Sequence, residues 1–107
     1  MGDASAFIAE IVQRLAQEAG QCKVILYGSY ARGAQTKDSN LNILVVEKEI
    51  LSSRHMEMVQ LRRLLAEFPF PIDVLVVSEA EYLERSDFPS NVYYWAKLEG
   101  KILHEST

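Results

Sequence analysis

The sequence predicts one α/β (α+β) domain in which helices pack against a small mixed β-sheet. Stretches with helical spacing alternate with short β-branched runs along the chain, and only about a dozen residues connect the first two of these runs. Because a connection of that length holds a full crossover helix poorly, we expect the first two strands to be antiparallel. A length of 107 residues, 49% of them hydrophobic, suits a single domain over residues 1–107 with one core.

Four helices are predicted from the spacing of apolar residues and from stop signals. The first runs from Ala4 to Ala19 and ends before Gly20. The second begins after a cap at Ser52 or Ser53 and continues to about Ala66, with a buried side formed by Met56, Val59, Leu61, Leu64 and Leu65. Two shorter helices are predicted over Glu79 to Arg85 and around Pro89 to Leu98.

Strands are predicted where short runs are rich in β-branched and other apolar residues. The three runs CKVILYG, LNILVV and IDVLVV have this character, and KILHE near the end of the chain is expected to add an edge strand. The sheet is therefore expected to be mixed rather than doubly wound.

Charge and cysteine content exclude several classes of protein. A net charge of −4 argues against binding a long nucleic acid, because such affinity comes from clustered Lys and Arg. The single cysteine, Cys22, cannot form an internal disulfide, and the amino terminus lacks the pattern of a signal peptide. No apolar run approaches the roughly 18 residues that span a bilayer. These features predict a cytoplasmic protein that does not enter the membrane.

The loop GSYARG follows the first predicted strand. Gly28 allows backbone angles that a side chain would forbid, and Ser29 can start a short helix whose free amide groups and hydroxyl face an anion. The same four features, strand, glycine, serine and helix, also occur as ordinary turn chemistry, so both interpretations remain open. Arg32 and Lys37 are charged candidates near a phosphate, with solvated loop residues as the alternative.

The spacing of this loop and of the polar residues after it resembles a known family. Ten residues separate Ser29 from Asn40, the first residue of the pair Asn40 and Asn42, and Asp73 begins a later strand. This arrangement resembles the DNA polymerase beta-like nucleotidyltransferase superfamily. The length of the chain and the sequence GSYARG resemble the minimal nucleotidyltransferases, which are antitoxin-type partners of HEPN proteins. This resemblance covers nearly the whole chain.

The resemblance implies the nucleotidyltransferase fold and transfer of a nucleoside monophosphate from ATP or another NTP to a hydroxyl. In that family, three carboxylates hold Mg²⁺ ions that neutralise the triphosphate. The family positions correspond to Asn40, Asn42 and Asp73 for the metal, with Asp73 as the catalytic carboxylate. Gly28, Ser29, Arg32 and Lys37 correspond to the nucleotide and phosphate positions. A protein partner is also implied, either a HEPN-type protein or a second copy of the chain.

Asn40 and Asn42 depart from the family pattern, which has aspartates at both positions. An amide oxygen can still touch a metal, but the negative charge is lost. Two unit charges about 4 Å apart interact by about 4 kcal/mol at an effective dielectric of 20, so metal binding should weaken by orders of magnitude. We therefore expect an inactive or severely impaired domain that acts through a partner. Two alternatives are an active enzyme that transfers AMP to a protein or small-molecule hydroxyl, and a structural or oligomerising domain without nucleotide.

The segment VYYWA places three aromatic residues in succession on a predicted helix. One helix face cannot bury Tyr93, Tyr94 and Trp95 together, because consecutive residues point in different directions. At least one ring should be exposed or contact a partner.

Overall fold

A computed structural model describes residues 4–50 and 53–106 of the chain. A 3₁₀ turn at Ala4–Phe7 leads into α1 (Ile8–Ala19), followed by β1 (Cys22–Tyr27), the short α2 (Ser29–Arg32), β2 (Leu41–Glu47), α3 (Arg54–Leu64), β3 (Ile72–Ser78), α4 (Glu79–Arg85), α5 (Val92–Glu99) and β4 (Lys101–Glu105). The predicted α/β class is confirmed. Within the described part of the chain, no helix is long and apolar enough to span a bilayer.

The four strands form one mixed sheet in the order β3-β2-β1-β4. β1 is antiparallel to both β2 and β4, whereas β2 and β3 are parallel. The expected antiparallel pairing of the first two strands is therefore confirmed, and KILHE is an edge strand. The parallel pair is connected through α3, which supplies the crossover that such a pair requires.

Both faces of the sheet are covered by helices. On the face toward α1 and α3, alternate strand residues such as Val24, Ile43 and Val74 pack in the larger apolar cluster. On the face toward α4 and α5, Leu44 and Val77 pack with residues of the two helices in a second cluster. Covering both sides explains why the strands are nearly continuous apolar runs.

The helices begin and end close to where the sequence predicts. Gly20 ends α1 with a positive φ of 73° and donates its amide to Ala16 O over 3.0 Å. Ser53 caps α3 by accepting from the Met56 amide, whereas Ser52, the other predicted cap, lies outside the described residues. Asn91 caps α5, so that helix begins at Val92 rather than around Pro89. The order of elements is therefore the predicted order.

One residue of the predicted buried side of α3 is misplaced. Leu61 and Leu65 are buried as expected, but the Met56 side chain is 62% exposed. Met56 precedes Leu61 by five residues, which turns it about 140° around the helix from the core-facing side. The predicted inward position of Met56 is wrong for this geometric reason.

Candidate functional site

Three polar side chains form one row across the sheet at the edge where β1 ends and β2 and β3 begin. Asn42 is the register partner of Tyr27 on β1 and of Asp73 on β3. Register partners point to the same side of a sheet, and alternation places this row on the face covered by α4 and α5. Leu41 and Ile43 point the other way and are fully buried, as the period of two predicts.

Asn40 lies directly before β2 and contacts the same carboxylate. Its side-chain amide Nδ2 donates a hydrogen bond to Asp73 Oδ2 over 3.2 Å. A backbone hydrogen bond from Leu41 N to Pro71 O, 3.0 Å long, joins the two segments next to this contact. The predicted metal positions Asn40, Asn42 and Asp73 are thus brought together at the start of the parallel strand pair.

Gly28 directly follows β1 and lies close to the Asn42 side chain. Its φ of 82° and ψ of −153° belong to a region that side chains exclude. A Cβ on Gly28 would stand 2.6 Å from Asn42 Nδ2, so the end of the Asn42 side chain would have to move to make room for it. The glycine predicted from the sequence is therefore required by its backbone angles and favoured by the position of Asn42.

Ser29 begins α2, a single helical turn at the start of the connection between β1 and β2. The amide groups of Ala31 and Arg32 both donate to Gly28 O, over 3.1 and 3.2 Å. The first turn of a helix leaves its leading amide groups without intrahelical acceptors, here those of Ser29 and Tyr30. The half-buried Ser29 hydroxyl lies at this end of the helix. The role of Gly28 and Ser29 toward a phosphate stays a prediction.

Arg32 and Lys37, the charged residues predicted to lie near a phosphate, have different surroundings. Arg32 forms an ion pair with Glu99, with 3.5 Å between Nη1 and Oε1, at the end of α5. Lys37 is exposed in a turn that Thr36 and Ser39 close through a 2.9 Å bond from Thr36 N to Ser39 Oγ. Arg32 is thus held beside α5, and Lys37 stands in the loop that leads into Asn40. Their roles toward a phosphate stay predictions.

Tyr27 is a residue of this row that the sequence analysis missed. Burial raises the pKa of its phenol to about 12, and the charge of Asp73 and the neighbouring Tyr93 act in the same direction. The sequence shows only that Tyr27 is the last residue before Gly28, whereas its position opposite Asn42 depends on the register between β1 and β2. The phenol stays protonated at neutral pH, so Tyr27 offers the row an uncharged hydroxyl.

The side chains at this edge do not supply the ligands that a pair of Mg²⁺ ions needs. Asp73 supplies one carboxylate, and one of its oxygens already accepts a hydrogen bond from Asn40. Nδ2 of Asn40, a hydrogen-bond donor, faces the carboxylate, and Asp73 alone among Asn40, Asn42 and Asp73 brings a negative charge. Among residues 4–50 and 53–106, no three His, Cys, Asp or Glu side chains come together as potential metal ligands.

Comparison with known proteins decides the family. The family model of the nucleotidyltransferase domain matches residues 8–103. The chain belongs to this family. The nucleotidyltransferase resemblance expected from the loop and its spacing is therefore confirmed, and the fold agrees with it. Curated protein sequences give no match to the chain.

Three solved structures share the fold of this nucleotidyltransferase domain. A toxin–antitoxin crystallised with AMP-PNP is 20% identical, with a TM-score of 0.55 over 91% of this chain and 73% of that chain. A mutant of the toxin–antitoxin MntA-HpeT is 20% identical, with a TM-score of 0.57 over 92% and 73%. A structure from Sulfolobus solfataricus, described as that of a nucleotidyltransferase, is 24% identical, with a TM-score of 0.56 over 92% and 86%.

Proposed function

We propose that this chain is a nucleotidyltransferase domain with little or no transferase activity, which acts as an antitoxin-like protein by binding a partner. The hydrogen bond from Asn40 to Asp73 carries the proposal, because it replaces a metal-bridged pair of carboxylates with a neutral donor and one carboxylate. The metal positions then hold one negative charge in place of three. The cofactors of the family, Mg²⁺ and ATP, would bind weakly at such a site.

Nucleotide contact in this proposal is limited to the loop. Gly28 and Ser29 would approach the phosphates, with Arg32 and Lys37 as the nearby cations, and Asp73 is the remaining carboxylate for catalysis. One charge pair about 4 Å apart is worth about 4 kcal/mol at an effective dielectric of 20. Since about 1.4 kcal/mol corresponds to a factor of ten, two missing carboxylates account for a loss of at least about 100-fold in affinity for Mg-ATP.

The exposed apolar surface supports partner binding. Five large hydrophobic side chains from α4 to β4 are more than two fifths exposed: Leu83, Phe88, Trp95, Leu98 and Ile102. Tryptophan, here Trp95, is among the residues most enriched at the hot spots of protein interfaces. Two of the structural neighbours are toxin–antitoxin assemblies, which supports the same kind of partner here. We propose a HEPN-type protein as the partner, with a homodimer as the alternative, in the cytoplasm.

The nucleotide part of the proposal is tested by calorimetric titration of Mg-ATP. The chain is compared with the double variant Asn40→Asp with Asn42→Asp, and with Gln13→Glu with Gln17→Glu, which adds two charges on exposed positions of α1. We expect tight, metal-dependent binding only for the first double variant. Equal binding by the unmodified chain would contradict the loss of the metal site and favour an active enzyme that transfers AMP to a hydroxyl.

The partner part is tested separately by co-expression with a HEPN-domain protein. We expect a stable complex that is weakened when Trp95 or Leu98 is replaced by alanine. Met56→Ala is the matched control, because Met56 and Leu98 are both 62% exposed but lie on different helices. A chain that binds neither nucleotide nor a HEPN protein, and that associates only with itself in light scattering, would be a structural or oligomerising domain.

A further inference from the structure

The contact between Asn40 and Asp73 joins two segments that enter the sheet side by side. Asn40 directly precedes β2, and Asp73 is the second residue of β3. The side-chain bond between them, 3.2 Å long, crosses from one strand of the parallel pair to the other. Asn42, two residues further along β2, is the register partner of the same Asp73. Asp73 is therefore flanked by two amides and faces solvent on its open side, where it is exposed.

An amide is the side chain of this shape that can make this contact without a cation. The amide of Asn40 donates and the carboxylate of Asp73 accepts, whereas two ionised carboxylates at this distance have no proton between them and repel each other. Aspartate has nearly the same shape as asparagine, so a carboxylate at position 40 would stand at the same place. Without a cation or a shared proton between them, it would repel Asp73.

We propose that Asn40 is a built-in substitute for a divalent cation, which ties β2 to β3 and makes the stability of this domain independent of Mg²⁺. The inference rests on the proposed function, in which Asn40, Asn42 and Asp73 occupy the metal positions of the family. Asn40 is a positioning residue that holds the Asp73 carboxylate. In this chain a hydrogen bond joins the two segments at the edge of the sheet where the metal positions implied by the family resemblance lie.

Thermal unfolding in EDTA and in excess Mg²⁺ tests this inference. For the unmodified chain we expect the same Tm in both solutions. Asn40→Asp should lower Tm in EDTA by about 4–8 °C, which is the shift that a loss of about 1 kcal/mol produces in a domain near this size. Mg²⁺ should restore at least half of that loss. Asn40→Ala should lower Tm equally in both solutions, because it removes the donor without adding a charge.

Gln13→Glu serves as the control for added negative charge, because Gln13 is exposed on α1 and its change should leave Tm nearly unaltered in both solutions. Two results would overturn the inference: an Asn40→Asp variant as stable as the unmodified chain in EDTA, or an unmodified chain that Mg²⁺ stabilises. The Mg-ATP titration of the unmodified chain remains the separate test of the proposed function. Weak nucleotide binding together with an Asn40→Asp variant that stays stable in EDTA would contradict this inference and leave the proposed function standing.

Discussion

Gly28 and Asn42 occupy adjoining space so closely that a Cβ on Gly28 would stand 2.6 Å from Asn42 Nδ2. The glycine also has a φ of 82° and a ψ of −153°, a combination that is essentially reserved for glycine. The loop after β1 and the polar row across the sheet are therefore in contact, because a side chain on the glycine would displace the end of the Asn42 side chain. This contact links the loop predicted to contact phosphate with the predicted metal positions.

Gly28→Ala is expected to lower the free energy of unfolding by at least about 2 kcal/mol, because the variant combines backbone strain with a clash. The measurement is urea denaturation followed by circular dichroism. Gly33→Ala is the matched control: its φ is 70°, but nothing lies within 4 Å of an added Cβ, so a loss of only about 1 kcal/mol is expected. Adding Asn42→Ala to Gly28→Ala should recover part of the loss. Equal losses for the two glycines would contradict the contact.

Glu47 is a buried carboxyl group at the end of β2, only 3% exposed. Burial first, and then a hydrogen bond and charge repulsion with Glu57, raise the pKa of Glu47 from 4.5 to about 7. A raised pKa means that the folded protein binds a proton more tightly than the unfolded chain does. The stabilisation by this group is therefore complete below about pH 4.5 and is lost as the pH rises through about 7.

We expect the free energy of unfolding to fall by about 2–3 kcal/mol between pH 5 and pH 8 because of Glu47. Glu47→Gln, which cannot ionise, should remove most of this dependence and should be more stable than the unmodified chain at pH 8. Urea denaturation at several pH values measures both effects. Glu49→Gln, at an exposed position, is the control and should keep the dependence. A Glu47→Gln profile that still falls by the full amount would contradict this assignment.

The order of helices and strands could be predicted because each element carries its own pattern, but the polar residue on the inner face of α3 could not. Glu57, Leu61 and Leu65 follow one another at intervals of four and share the side toward the sheet. A count of apolar residues selects Met56 over Glu57, although Glu57 is half-buried and interacts with the buried Glu47. Polar interactions of this kind are set by tertiary packing, which the spacing of hydrophobic residues does not record.

The candidate site was predictable in composition and only partly in geometry. The spacing of Asn40 and Asn42 predicts that both point to one side of the chain where β2 begins, and the nearness of Asn42 to Asp73 follows from the parallel pairing of β2 with β3. The register between strands cannot be read from the sequence, so neither the bond from Asn40 to Asp73 nor the position of Tyr27 opposite Asn42 could be predicted. The ion pair of Arg32 with Glu99 likewise depends on where α5 lies.

Trp95 is the only tryptophan of the chain and reports directly on the surface of α5. Its ring is 45% exposed, its Nε1 donates to Pro89 O over 3.0 Å, and Tyr94 packs edge-on against it. We expect its fluorescence in the isolated protein to be quenched by acrylamide. Binding of a partner across α5 should shift the emission to shorter wavelength and reduce the quenching. If Trp95 of the isolated protein is instead protected from acrylamide and becomes quenchable on dilution, the chain forms a homodimer through α5.

Ser53 caps the N-terminus of α3. Its side chain accepts a hydrogen bond from Met56 N over 3.0 Å. Ser53→Ala should lower the free energy of unfolding by about 1 kcal/mol, because the amide loses its acceptor, whereas Ser53→Asp should keep the cap. Ser90→Ala, at an exposed serine that caps no helix, is the control and should cost little. Urea denaturation distinguishes these outcomes, and an alanine variant as stable as the aspartate variant would show that the cap contributes nothing to α3.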